Sequence, residues 1–448
     1  MFDLHVKAIE NINETAKKLI ELIEELNLPK QQNNVNNDFY AAATLTDKDI
    51  LSAKYSLSNM SGEVSKYFFV EDKAMGFINE SYEEFNYAAL KIYKNKCISQ
   101  KVGFEYLKEK LFDWIEGNVV GSITNEFFTF FTLQAEKDIK DYEIIIPIPF
   151  TTTNKEFVLG RIKYTNITER VIEDWFTNAN IHSGNESSPD NKINAFKIRI
   201  KKDIQGYIAG VYTCNAEQTR AKELAYAELS NSLSCLRLLS PANFNYNFIC
   251  MAQEYGECLI KKSTYISVDC KTSAFNYNSA ILQNNFMWNI NEDVIDIISK
   301  GVFQKAHELL LIDSHNDFQA KLLNAIIIYS KNTISTEIYD KILYILVALE
   351  SMLLKNDSEP IQQNIGMRLA YLIANTLDSR KDVIKTVKDI YAIRSKYIHH
   401  GIVDFKDEKL MLKFMNYAMS GFAIMIDSIK TFNSKDEFVA YLDDLTLS

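Results

Sequence analysis

From Asn289 onward the chain reads as a succession of amphipathic segments joined by links of only a few residues. No other feature constrains the fold as much. Candidate helices cover 291–312, 316–331, 335–355, 360–376, 380–400, 407–431 and 434–445. Links this short force successive helices to pack antiparallel, so the pattern predicts an all-α bundle over 289–448. Asp378-Ser379 offers an N-cap for the fifth segment, and Gly401 offers its stop. The segment 407–431 is apolar on nearly all sides (Leu410, Phe414, Phe422 and Met425 among others), more than one bundle needs to bury.

The rest of the chain is less regular. Gly and Pro are scarce, 14 and 6 in 448 residues, which favours a mostly helical protein. Residues 1–28 predict an amphipathic helix ended by Pro29, followed by an Asn-rich loop over 31–38. Between Asp47 and Val119 the pattern is mixed, with helical pieces at 84–94 and 104–116. A β-rich stretch follows. Strands are expected at 142–149, at 156–165 and at 194–201, where Phe196, Ile198 and Ile200 alternate with Lys197, Arg199 and Lys201. A Ser/Gly/Asn/Pro loop lies at 182–191, a helix at 216–239, and further strands between Phe244 and Asp269. The fold class expected is therefore α+β. A mostly helical region over 1–140 and a β-rich region over 141–288 precede the bundle over 289–448.

Charge and cysteine usage narrow the function. A formal net charge of −10 argues against a general nucleic-acid coat, so any phosphate-binding surface must be local. The six cysteines, at 97, 214, 235, 250, 258 and 270, show no CxxC pairing and read as reduced thiols; no zinc-type spacing joins them to the histidines. The amino terminus has neither a basic n-region nor a long apolar run, and the longest apolar stretch, 342–349, is too short to span a bilayer. A cytoplasmic protein without membrane contact, metal or cofactor is expected. Phosphate-binding glycine loops, nucleophile elbows and His-Glu-x-x-His motifs are absent from the sequence.

Chemistry concentrates in the bundle. Val383, Val387, Ile390 and Tyr391 form an apolar stripe whose next members are Arg394 and Ile398. Glu350 and Arg368 likewise continue apolar stripes on their own segments. A charge on a core-facing stripe needs a partner or an open cleft, so Glu350 is expected to pair with Arg368 or Arg394. Beyond Arg394, the same segment ends in His399, His400 and Gly401.

Arg394-x4-His399 at a helix end, with His400-Gly401 behind it, resembles the signature of HEPN domains. The wording Arg394-Ser395-Lys396, with Ala348-Leu349-Glu350-Ser351 and Arg368-Leu369-Ala370 upstream, is most similar to the ApeA-like HEPN domains of bacterial anti-phage proteins. The resemblance covers about the last third of the chain. It implies a metal-independent endoribonuclease that cleaves RNA by attack of a ribose 2′-hydroxyl on the adjacent phosphate. Arg394 would stabilise charge on phosphate, histidine would move the proton, and Ser395 would add a hydroxyl donor. It also implies a homodimer with the motifs facing across the interface, and a role in anti-phage defence or abortive infection. The amino-terminal region would then meet a phage-derived trigger or a regulatory partner. The family has one histidine before the glycine; here spacing points to His399 and the neighbouring Gly401 to His400. On a straight helix His399 lies about 140° around from Arg394, and His400 about 120° the other way. Either the last turn unwinds or two copies each supply half a site.

Three other readings are open. The same module could be a non-catalytic scaffold or the RNA-binding half of a toxin–antitoxin pair. Lys197, Arg199, Lys201 and Lys202 could touch a nucleic-acid backbone, although a solvated strand face explains them as well. Asp269-Cys270-Lys271 after a strand, with Glu254 or Glu257 upstream, is a weak fragment of a metal-dependent nuclease pattern.

Overall fold

The computed structural model describes residues 2–26, 56–58, 64–70, 73–178, 189–250, 252–254, 262–268, 275–281, 288–356, 358–400 and 407–447. It is α+β, and its backbone divides into two compact units: Met1–Glu143 with Thr213–Leu224, and Ile144–Tyr212 with Ala225–Ser448.

The first unit begins with helix α1 (Val6–Ile20). This helix stops eight residues short of the expected 28, because the chain goes on to a two-residue strand, β1 (Glu24–Glu25), and a backbone bond from Leu26 N to Ala74 O. Strands β2 (Ser56–Ser58), β3 (Val64–Val70) and β4 (Lys73–Ile78) complete an antiparallel sheet of order β1-β4-β3-β2. The β3–β4 hairpin is the structure inside the mixed pattern of 47–119. Helices α2 (Glu80–Tyr93), α3 (Lys96–Ser99), α4 (Phe104–Val120) and α5 (Phe127–Asp138) follow. Their core is aromatic: Phe77, Phe85, Phe112, Trp114, Phe127 and Phe131 are all fully buried.

Along the chain, β5 (Lys140–Ile148), β6 (Thr151–Thr153), β7 (Phe157–Leu159) and β8 (Ile162–Asn166) are followed by α6 (Glu169–Asn178), α7 (Pro189–Ile204), β9 (Ile208–Ala216) and α8 (Gln218–Leu236), with the ends of β5, β9 and α8 that fall in 140–143 and 213–224 counted in the first unit and the rest in the second. The sheet order is β5-β9-β8-β7. The single strand expected at 156–165 is a tight hairpin, turned by Gly160 at φ +62°. A Cβ at Gly160 would also stand 2.7 Å from Leu310 Cβ, so side chains are excluded twice over.

The strand expected at 194–201 is wrong: those residues lie inside α7. The alternation of Ile and Lys is too short to separate a strand from a helix. In the helix Lys197 and Lys201, four residues apart, share a face and both pair with Glu173, Lys201 at 2.7 Å; Lys201 also reaches Glu169 at 2.8 Å. Strands also resume later than expected. A 3₁₀ turn covers Pro241–Asn243, the described residues between 244 and 254 form no strand, and the antiparallel pair β10 (Lys262–Val268) and β11 (Phe275–Ile281) follows. β12 (Trp288–Ile290) pairs in parallel with β6.

The helical run follows the sequence pattern closely. Its members are α9 (Glu292–Ile298), α10 (Gly301–Leu311), α11 (Asp317–Ile334), α12 (Ile338–Leu353), α13 (Ile361–Ile373), α14 (Leu377–His400), α15 (Glu408–Asp427) and α16 (Lys435–Leu447). The first expected helix is two, broken at Gly301, which takes φ +59°. α14 starts one residue before the expected cap: Thr376 and Ser379 exchange side-chain-to-backbone bonds at 3.2 Å, so Thr376 closes the helix end. Gly421 of α15 lets α13 come close, since a Cβ there would sit 2.9 Å from Leu369 Cδ1. One hydrophobic core joins Phe157, Leu159 and Tyr164 of the strands to Leu346, Leu349, Phe414 and Phe422 of the helices. Among the described residues no helix is long and apolar enough to cross a membrane.

Candidate functional site

The three charges that interrupt apolar stripes resolve into two sites. Arg368 of α13 is 5 % exposed at its side chain, and all five of its N–H groups have acceptors. Nε–H donates to Asp443 Oδ1 at 2.7 Å, and the terminal nitrogens reach Glu359 at 2.8 and 3.0 Å, Asp443 Oδ2 at 3.2 Å and the Leu353 carbonyl at 2.7 Å. This clamp ties the end of α12, the α12–α13 link and α16 to α13. The bond from Arg368 holds the Glu359 carboxyl down at about 2, and the same guanidinium lowers Asp443. Lys355 adds a pair to Asp443 at 2.6 Å. A guanidinium with no donor left cannot bind substrate, so Arg368 is structural, and Glu350 is not its partner.

Glu350 pairs with Arg394 instead. Tyr391, one turn before Arg394 on α14, donates its hydroxyl to Glu350 Oε1 at 2.7 Å, and an Arg394 terminal nitrogen reaches the same oxygen at 3.4 Å. Charge-assisted bonds of this kind are ordinarily about 2.7–2.9 Å, so the arginine is held loosely. Its Nε–H is buried and has no partner, while the side chain as a whole keeps 28 % of its exposure. Its guanidinium carbon lies 5.8 Å from the centre of the Tyr391 ring. Burial first, and then the Glu350 carboxylate, push the Tyr391 phenol far above its ordinary value, so it stays protonated and keeps donating.

The histidines lie beyond. α14 is helical through His400, so the last turn does not unwind, and Arg394 and His399 of one chain point about 140° apart. His399 and Ser395 are exposed, Tyr397 stacks on Tyr339 at 4.3 Å, and Ile398 is 51 % exposed. The His400 side chain and Gly401 lie outside the described residues, as do Glu257, Asp269 and Lys271. Among the described residues no cluster of His, Cys, Asp or Glu could hold a metal ion.

Compared with models of known protein families, with curated proteins and with solved structures, the chain matches none.

The site therefore stands on its own geometry. It is a half-buried guanidinium with spare donors, steadied by one carboxylate and one phenol, on a helix that ends in an exposed imidazole. Such a guanidinium can take an incoming oxyanion without first giving up a strong internal bond. Sequence reasoning missed Tyr391 as the second donor to Glu350, and missed Glu359 and Asp443 altogether. Tyr391 was legible as an aromatic three residues before Arg394, on the same helix face, whereas nothing local marks Asp443 as the partner of a residue 75 positions away.

Proposed function

We propose that the chain is a HEPN-type, metal-independent endoribonuclease working in the cytoplasm in anti-phage defence or abortive infection. The observation that carries the reading is Arg394, which keeps an unpartnered buried Nε–H on the same helix as exposed His399. The resemblance in the sequence supplies the chemistry. A histidine near neutrality takes the proton from the ribose 2′-hydroxyl or returns one to the leaving oxygen, and Arg394 stabilises the charge that builds on phosphate. Ser395 is exposed beside it and would add a donor.

Because Arg394 and His399 diverge within one chain, the proposed active form is a two-fold dimer in which α14 of one protomer faces α14 of its partner. The unit containing the first 143 residues would receive the trigger. Purified protein incubated with total RNA in EDTA tests the reading. Expected are fragments with 2′,3′-cyclic phosphate ends, lost in Arg394→Ala. RNA left intact by wild type, in dimeric form and with the trigger supplied by phage infection of expressing cells, refutes it.

A further inference from the structure

Arg237 is nearly as buried as Arg368, 7 % against 5 % exposed at the side chain, but its hydrogen bonding is incomplete. Its Nε–H donates to the Ala252 carbonyl at 2.9 Å. Among the described residues its one ionic neighbour within pairing range is Glu254, at 3.9 Å from a terminal nitrogen, too far for a hydrogen bond. Among the described residues no acceptor stands within hydrogen-bond range of the four terminal N–H groups, whereas Arg368 fills all of its own.

Arg237 is one of the residues lining a cavity of about 480 Å³, within the range of about 300–1,000 Å³ typical of small-molecule sites. Its wall combines Tyr226, Ile327 and Ile334 with Arg237, Glu254 and Lys331. Lys331 sits at the exposed rim, with its ammonium 5.9 Å from the Tyr344 ring centre. Two cations therefore face the space against one carboxylate. Two of the three serine hydroxyls on the wall donate to their own helices, Ser234 to Ser230 O at 2.8 Å and Ser330 to Ile327 O at 2.9 Å. Among the described residues the charged donors of the cavity are those of Arg237 and Lys331.

We infer that this cavity binds a small oxyanion, a phosphate or carboxylate carried on an apolar or aromatic body. Arg237 supplies a forked contact from the floor, Lys331 a second charge at the mouth, and Tyr226 with the two isoleucines covers the body. Glu254 holds the empty guanidinium in place from beyond bonding distance. The inference is independent of the RNA-cleaving reading, because binding is measured directly.

Calorimetric titration and thermal shift of the full chain with phenyl phosphate and with benzoate test it. At least one should bind saturably and raise the melting temperature, and the stronger of the two identifies the oxyanion. Arg237→Lys keeps the charge but loses the fork, and should weaken binding about tenfold or more. Lys331→Ala, a rim change that leaves the core untouched, should weaken it about threefold to tenfold. Arg237→Met should melt near wild type without ligand, since it gives up one carbonyl bond and removes an incompletely paired charge. The inference is overturned if neither probe saturates by about 10 mM, or if Arg237→Lys and Lys331→Ala both bind like wild type.

Discussion

Two arginines of the helical bundle sit on apolar stripes of adjacent helices, and the fold treats them in opposite ways. Around Arg368 every donor is used, on two carboxylates and a carbonyl, and three parts of the bundle are tied together. Around Arg394 one carboxylate oxygen is shared with Tyr391 at the long distance of 3.4 Å, and a buried donor is left over. Completeness of pairing, rather than burial or the presence of a salt bridge, separates a structural arginine from one free to act. A fully bonded guanidinium has already exchanged its water for protein acceptors. A partly bonded one still gains by meeting an anion.

The largest effect expected is on chemistry at the loose site. Arg394→Ala and His399→Ala should each lower RNA cleavage by about 10²–10⁴-fold or more while leaving the circular dichroism of the fold unchanged. His400→Ala should weaken it only severalfold. If His400→Ala is inactive and His399→Ala active, the histidine roles are exchanged; if Arg394→Ala cleaves like wild type, the two arginines are functionally alike and the comparison fails.

Next comes stability at the closed site. Arg368→Ala leaves Glu359 and Asp443 without their main cation and should cost about 3–5 kcal/mol in a urea titration. Arg394→Ala should cost under about 1 kcal/mol, because its pair is long and partly solvated. Equal losses in the two variants would break the contrast.

Acid should loosen the clamp. The Glu359 carboxyl stands near 2 in the fold against an ordinary 4.5, so the folded state binds its proton less readily than the unfolded one. Its contribution to stability is complete above about pH 4.5 and is lost as pH falls through 4.5 towards 2. Glu359→Gln should flatten the stability–pH curve across that window; a curve as steep as wild type would show that the clamp is not what titrates.

A smaller effect than that at the clamp sharpens the geometry of the loose site. Tyr391→Phe removes the 2.7 Å bond to Glu350 and should cost about 1–2 kcal/mol of stability. It should also draw Arg394 closer to Glu350 and so reduce cleavage, more through kcat than through KM. Unchanged cleavage would mean that Arg394 is not steadied through this carboxylate.

What the sequence determined by itself was periodic. The succession of helices after Asn289, the stripe that Arg394 interrupts and the need of Glu350 for an arginine were all readable, because helical spacing is local and a charge on a core face carries its own requirement. The tertiary structure decided what depends on distance along the chain. It set Lys197 and Lys201 against Glu173 on a second helix, and so made a helix of an alternation that also suits a strand. It ended α1 early so that Glu24 and Glu25 could pair with β4. It brought Asp443 to Arg368 across 75 residues and left Glu350 to Arg394. A side chain's need for a partner is written in its own chemistry, but which partner arrives is fixed only when the helices pack and their donors and acceptors come within about 3 Å of one another.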